Sequence, residues 1–80
     1  MNQQQNGLVS IIIPTYNESK NILNILKSIK ENIPQNISAE AIVVDDNSPD
    51  GTGKIVDDYL RTIKNATNYT IDIIHRKTKS

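Results

Sequence analysis

The sequence predicts an α/β fold, a small parallel sheet built in the order strand, helix, strand, helix, strand. Three observations lead there. Two apolar runs rich in β-branched residues, LVSIII (8–13) and AIVV within EAIVVDD (40–46), have the near-continuous character of strands buried on both faces. Apolar residues recur at helical spacing between them and again after the second. A third short run, TIDIIH (70–75), closes the series, so two parallel crossover units follow one another.

The elements justify themselves in turn. MNQQQNG (1–7) is polar and uncharged, which suits a disordered tail and not the charged start of a signal peptide. After the first strand, Ile22, Ile25, Leu26, Ile29 and Ile33 make one helical stripe. Lys20, Lys27, Lys30 and Glu31 lie largely outside it. Pro34 ends that helix because it cannot donate to the preceding turn. In the second helix Ile55, Val56, Tyr59, Leu60 and Ile63 face inward. Helices near 18–32 and 52–64 and a strand order of 3-2-1 are therefore expected.

Composition narrows the function classes. A chain of 80 residues makes at most one domain, near the lower limit for a self-sufficient core, and only 36% of it is hydrophobic. Without cysteine it has no disulfide or thiolate-metal site, which favours a reducing compartment and a cytoplasmic location, including the cytoplasmic face of a membrane. Nine basic residues balance nine acidic ones, so no charge excess points to nucleic acid or an anionic membrane as partner. No apolar run reaches the length of a transmembrane segment.

The unusual polar residues are distributed asymmetrically. Right-handed crossovers bring the C-terminal ends of all three strands to one edge of the sheet. PTYNE, DDNSPDGT and HRKTKS all lie there, whereas the opposite-edge connections PQNISA and NATNY are ordinary polar loop. In open α/β sheets ligands bind at that C-terminal edge. Taken singly, each residue also fits a structural role. Thr15 and Glu18 match a capping box, Ser48 and Pro49 an N-cap with a first-turn proline, and Asp50 or Thr52 a cap. Asp45 and Asp46 would suit a helix N-terminus.

Several motifs fail on spacing. GTGK (51–54) resembles the end of a phosphate-cradling loop, but Ser48 stands in place of the first glycine and Ile55 in place of the metal-binding hydroxyl. The three glycines of a dinucleotide fingerprint and the spacing of a calcium loop are missing. His75 has no Cys or His companion for a structural metal. The Asn-x-Ser/Thr matches at Asn17, Asn36, Asn65 and Asn68 are those expected by chance from an Asn-rich chain.

Together, VSIIIPTYNESKNI and AIVVDDNSPDGTGKIV resemble the N-terminal half of the inverting, nucleotide-sugar-dependent family 2 glycosyltransferases with the GT-A fold. DDNSPDGT and HRKTKS are most similar to dolichyl-phosphate mannose synthases and other polyprenyl-phosphate glycosyltransferases. The resemblance covers residues 8–80. It implies a three-layer, Rossmann-like GT-A half whose sheet is incomplete, with 8–80 as the truncated nucleotide-sugar-binding part. The implied nucleotide-sugar contacts are Pro14, Tyr16 and Glu18 after the first strand, Val44 and Asp46 after the second, and Arg76 and Lys79 near the diphosphate. The implied chemistry is transfer of mannose from GDP-mannose to dolichyl or polyprenyl phosphate. A UDP-sugar donor, a non-catalytic nucleotide-binding module and a receiver-type interaction domain are the alternatives.

The residue types agree with a nucleoside site. Asp46 and Glu18 supply carboxylates for base and ribose donors, and Tyr16 supplies an aromatic wall. Consecutive residues of a strand point to opposite faces, so Asp45 and Asp46 cannot readily share one metal. The resemblance places the Mg²⁺ or Mn²⁺ ligands in an Asp-x-Asp motif beyond Ser80, so no catalytic or metal residue is expected in 1–80, and the chain alone is expected to be inactive.

Overall fold

The computed structural model describes residues 7–63 and 68–77. Its elements are β1 (Gly7–Thr15), α1 (Ile22–Asn32), β2 (Ile37–Asp45), α2 (Thr52–Thr62) and β3 (Tyr69–His75). β2 lies between β1 and β3 and pairs with both in parallel, the order expected from two successive crossovers.

Burial alternates along β2. Ala39, Ala41, Val43 and Asp45 are buried, and the residues between them only half-buried. The buried set meets Ile22 and Leu26 of α1 and Val56 of α2 in a single core, so both helices cover the same face. Two layers of the expected three are thus present among the described residues. The other face keeps Ile12 at 55% and Ile74 at 51% exposure, with no described element over it.

The element boundaries depart from expectation at the loops. β1 begins at Gly7, inside the segment expected to be tail, and runs through Pro14 to Thr15. A proline is tolerated there because no neighbour on the outer side of β1 asks for its amide among the described residues. β2 starts at Ile37, within the stretch taken as loop. α1 starts at Ile22 and not near Glu18, because residues 18–21 form a separate turn in which the Glu18 carbonyl accepts from the amides of Asn21 and Ile22. Ile25, expected inward, is 38% exposed, and Leu23 packs against the core in its stead. Both sit on flanks of the Ile22–Leu26–Ile29–Ile33 stripe.

The small core is reinforced by polar contacts between elements. The Lys27 ammonium lies 5.8 Å from the centre of the Tyr59 ring, joining α1 to α2. Buried Tyr69 donates its hydroxyl to the Leu26 carbonyl at 2.9 Å, tying the start of β3 to the middle of α1. Burial, with Tyr59 nearby, pushes the Tyr69 hydroxyl up to about 12, so it remains a donor throughout the physiological range. Tyr69→Phe should cost roughly 1 kcal/mol of stability, read as a lower urea midpoint at unchanged slope.

Candidate functional site

The three strands end in register. Thr15, Asp45 and His75 form the last rung, and the ladder runs one bond further on each side of β2. The Asp46 amide donates to the Thr15 carbonyl at 2.9 Å and the Arg76 amide to the Asp45 carbonyl at 2.8 Å. Asp45 is buried on the helix face, so strand alternation turns its successor Asp46 to the other face. There Pro14, Thr15, Tyr16, Val44, Asp46 and Arg76 line an open cleft of about 230 Å³.

Five of the expected contacts, Pro14, Tyr16, Val44, Asp46 and Arg76, are therefore brought together. Lys79 lies outside the described residues. Glu18 is not in the cleft wall; its carboxylate accepts from the Asn21 side-chain amide at 3.4 Å. Thr15, which the sequence offered only as a helix cap, also lines the cleft. The capping box expected of Thr15 and Glu18 is absent, since the Thr15 hydroxyl donates to the Ile13 carbonyl.

Asp46 carries the chemistry of the cleft. Its Oδ1 is buried and has no hydrogen-bond partner among the described residues. Arg76 Nε stands 3.7 Å away, close enough for charge attraction and too far for a hydrogen bond. Buried polar atoms are rarely left in this condition, and a carboxylate oxygen here is suited to accept from a bound donor.

Asp45, its neighbour, is instead satisfied internally. It accepts from the Ser48 hydroxyl and, at 3.4 Å, from the Ser48 amide. Its carboxylate packs over Gly53 beside the His75 ring: a Cβ on Gly53 would stand 2.7 Å from Asp45 Oδ2 and 2.9 Å from His75 Cε1. His75 also meets Asp57, with Nε2 and Oδ2 3.0 Å apart, which fastens the end of β3 to α2. Ser48 does not cap α2, as the sequence suggested; that helix begins at Thr52 behind Gly51, whose φ of 86° favours glycine.

Asp50 accepts from the Thr52 hydroxyl, the Thr52 amide and the Ser19 amide. These bonds, that of the Thr52 hydroxyl foremost, hold its carboxyl at about 2, below the usual 3.8.

The residues present do not fit a metal. No group of three His, Cys, Asp or Glu side chains converges among the described residues, and Asp45 and Asp46 face opposite sides of the sheet. No helix of the described residues is long and apolar enough to cross a membrane.

Comparison with known proteins agrees with this architecture. The family model for glycosyl transferase family 2 matches residues 10–80, and the chain belongs to that family. It is 37% identical over 71 residues to an undecaprenyl-phosphate mannosyltransferase of Micrococcus luteus, covering 89% of this chain and 26% of that protein. It is likewise 37% identical over 70 residues to a polyprenol monophosphomannose synthase of Mycolicibacterium smegmatis, covering 88% and 24%. Among solved structures, a mannosyltransferase of Pyrobaculum calidifontis in complex with GDP-Man and Mn²⁺ superposes with a TM-score of 0.68 at 29% identity, covering 89% of this chain and 20% of that one. The chain thus spans about a quarter or less of these proteins. The α/β, Rossmann-like GT-A assignment stands with this match.

Two measurements follow from the loop. Gly53→Ala should destabilise by about 1–3 kcal/mol through overpacking against Asp45 and His75. That loss should outweigh the gain from the helix propensity of alanine, which is at most about 1 kcal/mol and is reached only in a helix interior, as a thermal or urea melt would show. The Asp50 carboxyl should titrate near 2 by carbon NMR. A depressed carboxylate stabilises the fold above its unfolded value and loses that effect as pH falls through the folded one, so the Asp50 bonds should be intact above about pH 4 and weaken toward pH 2.

Proposed function

We propose that the chain binds the nucleotide of a sugar donor in this cleft, within an enzyme that transfers mannose with inversion from GDP-mannose to a dolichyl or other polyprenyl phosphate at the cytoplasmic face of a membrane. The observation that carries the proposal is the buried Asp46 oxygen, without a hydrogen bond among the described residues, in a cleft walled by Pro14, Tyr16 and Val44 at the C-terminal edge of the sheet. Support comes from the family match and from relatives whose names specify polyprenyl-phosphate mannosyl transfer.

Each residue has a chemical part. Asp46 accepts hydrogen bonds from base or ribose donors. Pro14, Val44 and Tyr16 form the wall against the rings. Arg76 stands beside Asp46 as a cation for the diphosphate, with Lys79 following it in the chain. Glu18, on the adjoining turn, serves the ribose. A volume of about 230 Å³ is below the roughly 300–1,000 Å³ of typical ligand sites. It suits one end of a nucleotide sugar, and the rest of the ligand extends out of the open side. No general base is assigned, because a phosphate monoester is already largely ionised near neutral pH. A divalent cation would screen the leaving diphosphate in such a transfer. Its ligands would come from residues outside positions 1–80.

Asp46→Asn keeps the shape and removes the charge. Losing a charge-assisted hydrogen bond should weaken GDP binding roughly ten- to a hundredfold. Amide shift mapping with GDP on the wild-type chain should perturb Thr15–Glu18 and Val44–Asp46, and UDP in a parallel titration distinguishes the base. The proposal fails if the perturbations are confined to residues 34–39, or if Asp46→Asn binds GDP normally but unfolds readily.

A further inference from the structure

Three successive amides of the β1–α1 turn are held by two side chains of the β2–α2 loop and that of the first residue of α2. Asn17 donates to Ser48 Oγ at 3.0 Å, Glu18 to Thr52 Oγ1 at 2.9 Å and Ser19 to Asp50 Oδ2 at 3.1 Å. The acceptors are fixed from behind. The Ser48 hydroxyl donates to the buried Asp45 carboxylate, and the Thr52 hydroxyl donates to Asp50. Thr52 is itself fully buried, so the bond it accepts from Glu18 is shielded from water.

These side chains would be expected to serve the first turn of their own helix. Only the bond from the Thr52 amide to Asp50 Oδ1 does so; the backbone amides that Ser48, Thr52 and Asp50 otherwise hold, those of Asn17, Glu18 and Ser19, belong to the other loop. The place of the contacts matters. Asn17 directly follows Tyr16 and adopts a φ of 56°, a left-handed conformation unusual for a residue with a side chain. Asn47, directly after Asp46, also has a φ of 56°. Tyr16 and Asp46 thus each lead into a left-handed residue, and the crossing bonds join one loop to the other.

We infer that Ser48, Asp50 and Thr52 are positioning residues, which set the distance between the Tyr16 wall and the Asp46 carboxylate by holding the main chain of the β1–α1 turn. The inference rests on the nucleotide reading of the cleft. A site on two separate loops binds well only if both are held in the bound geometry beforehand, because ordering them on binding costs affinity. Here the ordering is built in by hydrogen bonds that do not touch the ligand.

The test compares Thr52→Val, which keeps the shape and removes the hydroxyl, with Thr52→Ser, which keeps the hydroxyl. Both are made in the full chain with GDP as the probe, at a temperature where the dispersed β2 amides show the variant folded. Thr52→Val should speed hydrogen exchange at the Glu18 amide and weaken GDP binding about tenfold, the scale of one buried hydrogen bond. Thr52→Ser should return both to wild-type values. Ser48→Ala, which removes the bond to the exposed Asn17 amide, should change both in the same direction by less. Where Thr52→Val does not fold, Ser48→Ala decides by the same two readouts. Faster exchange at Glu18 with unchanged GDP affinity overturns the inference while leaving the nucleotide reading intact. No response of the wild-type chain to GDP overturns both.

Discussion

The candidate site depends on the alternation of side chains at the last rung of the sheet. Thr15 and Asp45 are buried there, and His75 reaches back over Gly53 to Asp57, so this rung belongs to the helix-covered side. In a strand the next residue must face the other way. Tyr16, Asp46 and Arg76 therefore emerge together on the open side, and two further ladder bonds keep their main chains in line. One geometric rule turns three loop starts into a cleft. The same rule divides two adjacent aspartates between different tasks.

The N-terminus of α2 shows how that division is maintained. A helix start favours negative charge, and in phosphate-binding loops it is the ligand that supplies it. Here the protein's own carboxylates take the place. Asp45 lies against Gly53, and Asp50 accepts from the Thr52 amide. The glycine in GTGK is thus required by the close approach of Asp45, and a phosphate would find the position taken. The likeness of that string to a nucleotide loop has a structural cause on the face opposite to the cleft.

Much of this was legible in the sequence. The β-branched runs and helical stripes gave the element order, and the crossover rule then gave strand order and the polar edge. Two features were not legible. The start of α1 was misplaced because Thr15 and Glu18 carry a local capping pattern that the fold does not use, and Ser48 was read as a cap of α2 whereas its hydroxyl serves Asp45 and the other loop. The amides bonded by Ser48, Thr52 and Asp50 are 31 to 34 residues away. Local pattern cannot reveal a partner that only the parallel register of β1 and β2 brings close. Ile25 was misplaced because a stripe has two flanks, and the packing of α1 buries Leu23 more than Ile25.

The pairing of Asp46 with Arg76 resolves an apparent conflict in the cleft. A carboxylate oxygen removed from water is costly unless something offsets its charge, yet a hydrogen bond from the protein would occupy the lone pair that a ligand needs. A guanidinium at 3.7 Å meets both requirements. Coulomb attraction falls only as the inverse of distance, whereas a hydrogen bond is largely lost beyond about 3.5 Å. Arg76 can thus offset the charge on Asp46 without consuming its acceptor. The backbone sets the two residues side by side, because Arg76 and Asp46 both follow directly from the last rung, one strand apart. Sheet register brings the acceptor and its counter-charge together, and the crossing bonds of the two loops hold the wall opposite them.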